Sequence, residues 1–234
     1  MTTSTENPTV HICLILSIMG HKRILFIGHS HVRNLKKYVN KPKIKPSRRN
    51  FRTVARVDFL GVGGKKIDWL LSSAVANKIS KFKPDAIFIM LADNDINEDS
   101  TPEEIAHRYI ATVSSLKCRF AKVSNIMLGQ LLPRYSRSSQ IPKQMKKFVD
   151  HNKYNPIAHS ANEIIKAEVS DIDYLSFFYS GFFFPCKQLK YDNNAKYFRP
   201  DGVHLSNRGH KKIFRAIRGS IIQFSQCRSS IKGH

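Results

Sequence analysis

Short unbroken apolar runs alternate along this chain with longer segments in which apolar residues recur every three or four positions. The first run, Ile24 to Ile27, stops abruptly at Gly28; a continuous apolar run bounded by glycine predicts a buried strand of a parallel sheet. Val54 to Leu60, Ala86 to Leu91, Ser124 to Leu132 and Ile172 to Phe178 predict four more strands. Between them, helical spacing predicts helices over His31 to Asn40, Ile67 to Phe82 and Met145 to Val169, and a last one ending near Phe224. The segment after Thr101 adds a capping box, with Pro102 at its first position and Glu104 three residues past the cap.

Strands alternating with helices imply an α/β protein with a parallel sheet, right-handed crossovers and helices on both faces. Ligands of such sheets bind where loops leave the carboxyl ends of the strands. Four turns should therefore meet on one rim: Gly28 to Ser30, the glycines Gly61, Gly63 and Gly64, the polar cluster Asp93, Asn94 and Asp95, and the loop Asp201 to His204.

Composition narrows the class. With 234 residues and 41% hydrophobic positions the chain has enough apolar content for one well-buried domain, and no apolar run approaches membrane-spanning length. The expected layout is an extension over 1–20, a domain over 21–228 and a tail over 229–234. Residues 9–19 have the length of a signal-peptide core, but Met1 to Pro8 carries no Lys or Arg and no small-residue cleavage site follows. The expectation is a cytoplasmic or nuclear protein, with secretion left open. Cys13, Cys118, Cys186 and Cys227 form no C-x-x-C pair, so neither a zinc motif nor thioredoxin-like chemistry is suggested, and reduced thiols are expected, with two disulfides left open for a secreted chain.

Charge adds a hint about partners. Lys and Arg number 39 against 17 Asp and Glu, a net charge of +22, which favours contact with nucleic acid or another polyanion. The stretch Lys36 to Arg52 is either a solvated loop or such a contact. The final helix carries Arg208, Lys211, Lys212, Arg215 and Arg218 on the face opposite its apolar stripe. Gly181 to Pro200, rich in Phe and Tyr, reads as core-edge filling or a lid.

The four turns hold the parts of an acyl-transfer site, which needs a hydroxyl nucleophile, a base, a group orienting the base, and donors for the oxyanion. Ser30 fits the nucleophile, His204 the base and Asp201 its orienting carboxylate. Asn94 offers a side-chain amide, and Gly64 and Ser30 offer backbone N–H groups, as oxyanion donors. Each turn also has a plainer use, Ser30 as a helix cap and Asp201 with Gly202 as a bend.

In this order, Gly28-x-Ser30, Gly63-Gly64, Asn94-Asp95 and Asp201-x-x-His204 resemble the four blocks of the SGNH hydrolases, also called GDSL-like esterases and lipases. The resemblance covers about residues 23–225 and lies nearest to the SGNH-type esterase domain of animal transposon-associated proteins. It implies a flavodoxin-like three-layer α/β/α sandwich with a mostly parallel five-stranded sheet. It also implies a serine esterase without cofactor or metal, with Ser30, Asp201 and His204 catalytic and Ser30, Gly64 and Asn94 as the oxyanion hole. A small ester or acylated compound is the implied substrate. Two positions depart from the pattern: His29 stands where the first block has Asp, and Ala92 where the third has Gly. The His29 exchange puts turn geometry in question, and Ala92 is tolerable unless its φ must be positive. The departures and the charge motivate an alternative, a weakly active or inactive module that binds a polyanion. Asp93 and Asp95 either bind a metal or solvate their loop, with solvation expected because no third ligand is evident nearby, and His29 and His31 are not expected to face one ion.

Overall fold

The computed structural model describes residues 22–41, 55–135, 150–182 and 195–226. Five strands, β1 (Arg23–Gly28), β2 (Arg56–Gly61), β3 (Ala86–Met90), β4 (Asn125–Gly129) and β5 (Leu175–Phe178), form one sheet in the order β2-β1-β3-β4-β5. All four pairings are parallel, the arrangement that the unbroken apolar runs of β1 and β3 favour. Among the described residues, five α-helices connect or flank the strands: α1 (Ser30–Val39), α2 (Ser73–Phe82), α3 (Pro102–Arg119), α4 (His151–Val169) and α5 (Asn207–Gln226).

Successive side chains of a strand point to opposite faces, and the two halves of the core follow that alternation. Leu25, Ile27, Ile87, Ile89, Ile126 and Leu128 face a layer built by α2, α3 and α4. Ile24, Phe26, Ala86, Phe88, Met90 and Met127 face α1 and α5. The expected flavodoxin-like three-layer sandwich is the fold adopted, and the strand order reverses between β1 and β3, where such folds bind ligands. Gly28 closes β1 at that point, because a Cβ there would sit 2.3 Å from the Met90 carbonyl oxygen.

Some element boundaries differ from the sequence reading. The helix expected from Ile67 to Phe82 is two pieces, a 3-10 turn Ile67–Leu71 and then α2, with Ser72 extended between them. The Asp95 carboxylate accepts the Ile67 N–H at 3.0 Å and fixes the first piece to a neighbouring turn. β4 stops at Gly129 rather than Leu132. Beyond it the backbone is held by side chains: Asn162 Oδ1 accepts from Leu131 N, Asp93 Oδ1 from Leu132 N, and Asn155 Oδ1 from Arg134 N. α4 starts at His151, capped by Asp150; the expected start at Met145, like residues 1–20 and the tail 229–234, lies outside the described residues. So do most of the basic stretch Lys36 to Arg52, and Phe183, Phe184 and Tyr191. The described aromatics of the 181–200 segment fill the core edge: Phe182 and Phe198 are buried, and the Phe198 ring packs at a tilt against Tyr135, centroids 4.7 Å apart. Lys212 leaves the expected basic stripe of α5, lying 4.7 Å over the Phe182 ring and donating to the Gly181 carbonyl.

Candidate active site

Ser30 is the first residue of α1, lifted onto the sheet rim by the tight exit from β1. Its Oγ lies 3.2 Å from His204 Nε2, although 174 positions separate the two in sequence. His204 Nδ1 in turn donates to Asp201 Oδ2 at 2.8 Å, which leaves Nε2 as the bare, accepting nitrogen. Asp201 Oδ1 accepts the backbone N–H groups of Val203 and His204 at 2.9 and 2.8 Å. Burial alone would raise the Asp201 pKa; the bond from His204 and those two N–H groups overcome it and hold the carboxyl well below the usual carboxylate range. This hydroxyl, imidazole and carboxylate are in line for proton transfer from Ser30 to His204.

The loop bearing Asp201 and His204 is a small hairpin. Phe198 and Leu205 form an antiparallel bridge, Arg199 N donates to the His204 carbonyl at 2.7 Å, and Ser206 N to the Tyr197 carbonyl at 2.8 Å. Gly202, at φ +70°, lets the chain turn at its tip. Tyr135 N donates to the Gly202 carbonyl and ties the tip to the segment after β4.

The remaining turns line the same hollow, a cavity of about 420 Å³ bounded by Ser30, Gly64, Asn94, Leu132, Val203 and His204 among others. Gly64 has φ +74° and open space where a Cβ would lie. Asn94 donates through Nδ2 to the Lys65 carbonyl at 3.0 Å, which clips the third turn to the glycine turn. The five residues singled out for the site in the sequence are therefore brought together. Arg33 and Lys66, both exposed, add positive charge at its edge.

His29 takes over the turn-ordering place by capping α1: its Nδ1 accepts the His31 N–H at 3.5 Å. The same Nδ1 lies 3.3 Å from Ser30 Oγ, and Nε2 is 2.7 Å from Asp93 Oδ2. Asp93 does not solvate its loop, because the loop after β3 dives under α4. There Asp93 Oδ1 accepts from Tyr154 Oη at 3.0 Å and Leu132 N at 3.1 Å, and Arg134 donates to the Asp93 carbonyl while stacking on the Tyr154 ring. Burial would raise the Asp93 pKa, but His29 and Arg134 outweigh it and bring it down to about 2. Asp95 is likewise buried, accepting from Ile67 N and Arg108 rather than from solvent. Ala92 adopts φ +80°, the glycine-like conformation its position in the pattern demands. Tyr154 and Arg134 were not singled out in the sequence, and their spacing gave no signal: Tyr154 reads as one of several inward apolar positions of α4, Arg134 as a loop cation.

A doubly wound sheet carrying a serine, histidine and aspartate on its carboxyl rim defines a hydrolase-type α/β protein. Known proteins specify the class further. The profile of the GDSL-like Lipase/Acylhydrolase family matches residues 28–217, and the chain belongs to that family of hydrolases acting on esters. Among solved structures, a GDSL-like lipase from Bacteroides thetaiotaomicron is similar at 14% identity and TM-score 0.59, over 92% of this chain and 97% of the other. A carbohydrate esterase of family 3 from Talaromyces cellulolyticus is similar at 14% identity and TM-score 0.55, over 88% and 99%. An acetyl esterase holding an acetate ion is similar at 13% identity and TM-score 0.55, over 88% and 99%. No curated protein matches the chain.

Proposed function

We propose that this protein hydrolyses a small carboxylic ester through an acyl-enzyme on Ser30. The observation that carries the reading is the 3.2 Å contact between Ser30 Oγ and a His204 whose tautomer is set by Asp201. His204 Nε2 takes the Ser30 proton as Oγ attacks the ester carbonyl. The oxyanion is received by the Ser30 and Gly64 N–H groups and the Asn94 amide. Collapse expels the alcohol, which takes the proton from His204. A water molecule, deprotonated by His204, then attacks the acyl-enzyme and releases the acid with Ser30 restored. A cavity of about 420 Å³ suits a short acyl group, and the acetyl esterase with its acetate ion is a precedent for one.

Turnover of p-nitrophenyl acetate, and labelling of Ser30 by a fluorophosphonate, test this. Ser30→Ala should abolish both with the melting temperature unchanged; turnover persisting in Ser30→Ala, or no turnover and no labelling of wild type, overturns it.

A second reading, polyanion binding by the same domain, is favoured by the net +22 and by Arg208, Lys211 and Arg215 exposed along α5. It requires retention on DNA or RNA that weakens steeply with added salt. Absence of retention at low salt removes it.

A further inference from the structure

Next to Ser30 lies a cluster that ester hydrolysis does not use. His29 and His31 flank the nucleophile, and Asp93 reaches them from the turn after β3. One donor atom from each lies within 4.8 Å of the other two, against the expectation that the two histidines would not face one ion. The spacing within the β1 to α1 turn misled, because the third donor comes from a neighbouring strand and the first helical turn rotates His31 inward. All three side chains are buried, yet all three line the cavity, which provides an entry route. His31 Nδ1 is fully buried and has no hydrogen-bond partner. A buried polar atom left unpaired is costly, and in a native structure it calls for an ion or water to complete it.

We propose that His29, His31 and Asp93 form a binding site for a zinc-class divalent cation beside the nucleophile. Two imidazoles and one carboxylate are the donor set of zinc and neighbouring transition metals rather than of magnesium or calcium, which take oxygen. Zinc at about 2.0–2.1 Å from each donor requires donors about 3.3 Å apart in a tetrahedron. The cluster closes to that by side-chain shifts of about an ångström, while the His29 to Asp93 contact of 2.7 Å opens slightly. The Asp93 carboxylate is already turned as a ligand would be, since Tyr154 Oη and Leu132 N occupy Oδ1 and leave Oδ2 directed at His29. Such outer partners are what fix a carboxylate ligand. The fourth position faces the cavity and takes water or an anion.

Occupancy changes what Ser30 meets. With the cation on His29 Nε2, the neutral ring keeps its one proton on Nδ1, 3.3 Å from Ser30 Oγ. Nδ1 then gives up the His31 N–H it accepts in the empty site and donates to Oγ. The Ser30 proton is thereby directed to His204 Nε2. The cation site stands independently of whether Ser30 is acylated.

Chelator-stripped full-length protein titrated with Zn²⁺ by calorimetry, and with Co²⁺ by visible absorption, tests the site. Wild type is expected to bind one Zn²⁺ with a dissociation constant below about 10 μM and to give the intense visible bands of tetrahedral Co²⁺. Ser30→Ala should bind equally well. His31→Ala and the bulkier His31→Gln should each weaken binding by about 100-fold or more with near-wild-type circular dichroism. Because the chain has 10 histidines, adventitious binding is the competing outcome. Absence of stoichiometric binding, or affinity and Co²⁺ spectra unchanged in the two folded His31 variants, overturns the proposal. Loss of ester turnover with zinc binding intact would instead remove only the esterase reading.

Discussion

Asp201→Asn isolates the orientation of His204 from every other feature of the site. In the folded protein Asp201 Oδ1 receives two backbone N–H groups and Oδ2 receives His204 Nδ1–H. An asparagine must keep its oxygen toward the two backbone donors, since an NH₂ there would face two N–H groups. Its NH₂ therefore meets His204 Nδ1 and donates to it. Nδ1 becomes the bare nitrogen and Nε2 carries the proton, so the ring donates to Ser30 Oγ where it previously accepted. Shape and volume are conserved, and all three contacts survive with one reversed. The same exchange in a serine protease triad costs about 10⁴-fold in kcat, equivalent to about 5.5 kcal/mol of transition-state stabilisation. The expected result is a drop of about 10⁴-fold in kcat/KM for p-nitrophenyl acetate, with the fluorophosphonate labelling rate falling in parallel and the melting temperature within about 4 °C of wild type. A loss under about tenfold would refute the reasoning: Asp201 would not set the tautomer, or another group would take the Ser30 proton.

Two further outcomes follow from backbone and burial. Ala92, fully buried at φ +80°, carries roughly 1–2 kcal/mol of strain; Ala92→Gly relieves it but loses a buried methyl and gains unfolded-chain entropy of similar combined size. Its unfolding free energy should stay within about 1 kcal/mol of wild type, while β-branched Ala92→Val should lose at least about 2 kcal/mol. Urea denaturation measures both, and a tolerated valine would refute the strained assignment. His210 donates from Nδ1 to the Ser206 carbonyl and lies over Tyr38. Burial, with Arg199 and Lys41 nearby, lowers its pKa to about 4 against the opposing bond to Ser206. As pH falls from about 6.5 to 4 the unfolded chain takes up a proton that the folded one refuses. Stability is full above about pH 6.5 and declines by up to about 3 kcal/mol across that window. His210→Phe should flatten the fall of melting temperature between pH 7 and pH 4.5, and an unchanged slope would refute the assignment.

The sheet was legible because strands buried on both faces read as continuous apolar runs, and Ile24 to Ile27 and Ala86 to Ala92 are such runs with glycine or polar residues at their ends. Ser30, Gly64 and Asn94 were legible because each sits in a turn that follows a strand, and Asp201 and His204 because of their Asp-x-x-His spacing. The fate of Asp93 was not. A carboxylate in a polar tetrapeptide looks solvated, and only the third dimension supplies Tyr154, Arg134 and His29 as its neighbours. The break at Ser72 was hidden for a similar reason: the helical period continues across it, and the Asp95 carboxylate that holds Ile67, the start of the first piece, comes from another turn. The effect of Ala92 depended on a φ angle that residue identity alone leaves open.

The hairpin bearing Asp201 and His204 makes the site a vice with two separately built jaws. One jaw, Ser30, opens α1 two residues after β1, a strand paired on both sides. The other is held in shape by its own short-range bonds and fastened to the body through the Tyr135 N to Gly202 carbonyl bond and the Tyr135 and Phe198 rings. The gap between them is 3.2 Å, and that fastening, with the buried Phe198 and Leu205 side chains, holds the second jaw in place. Tyr135, outside the serine–histidine–aspartate set, is thus one of the residues that join the two jaws into one site.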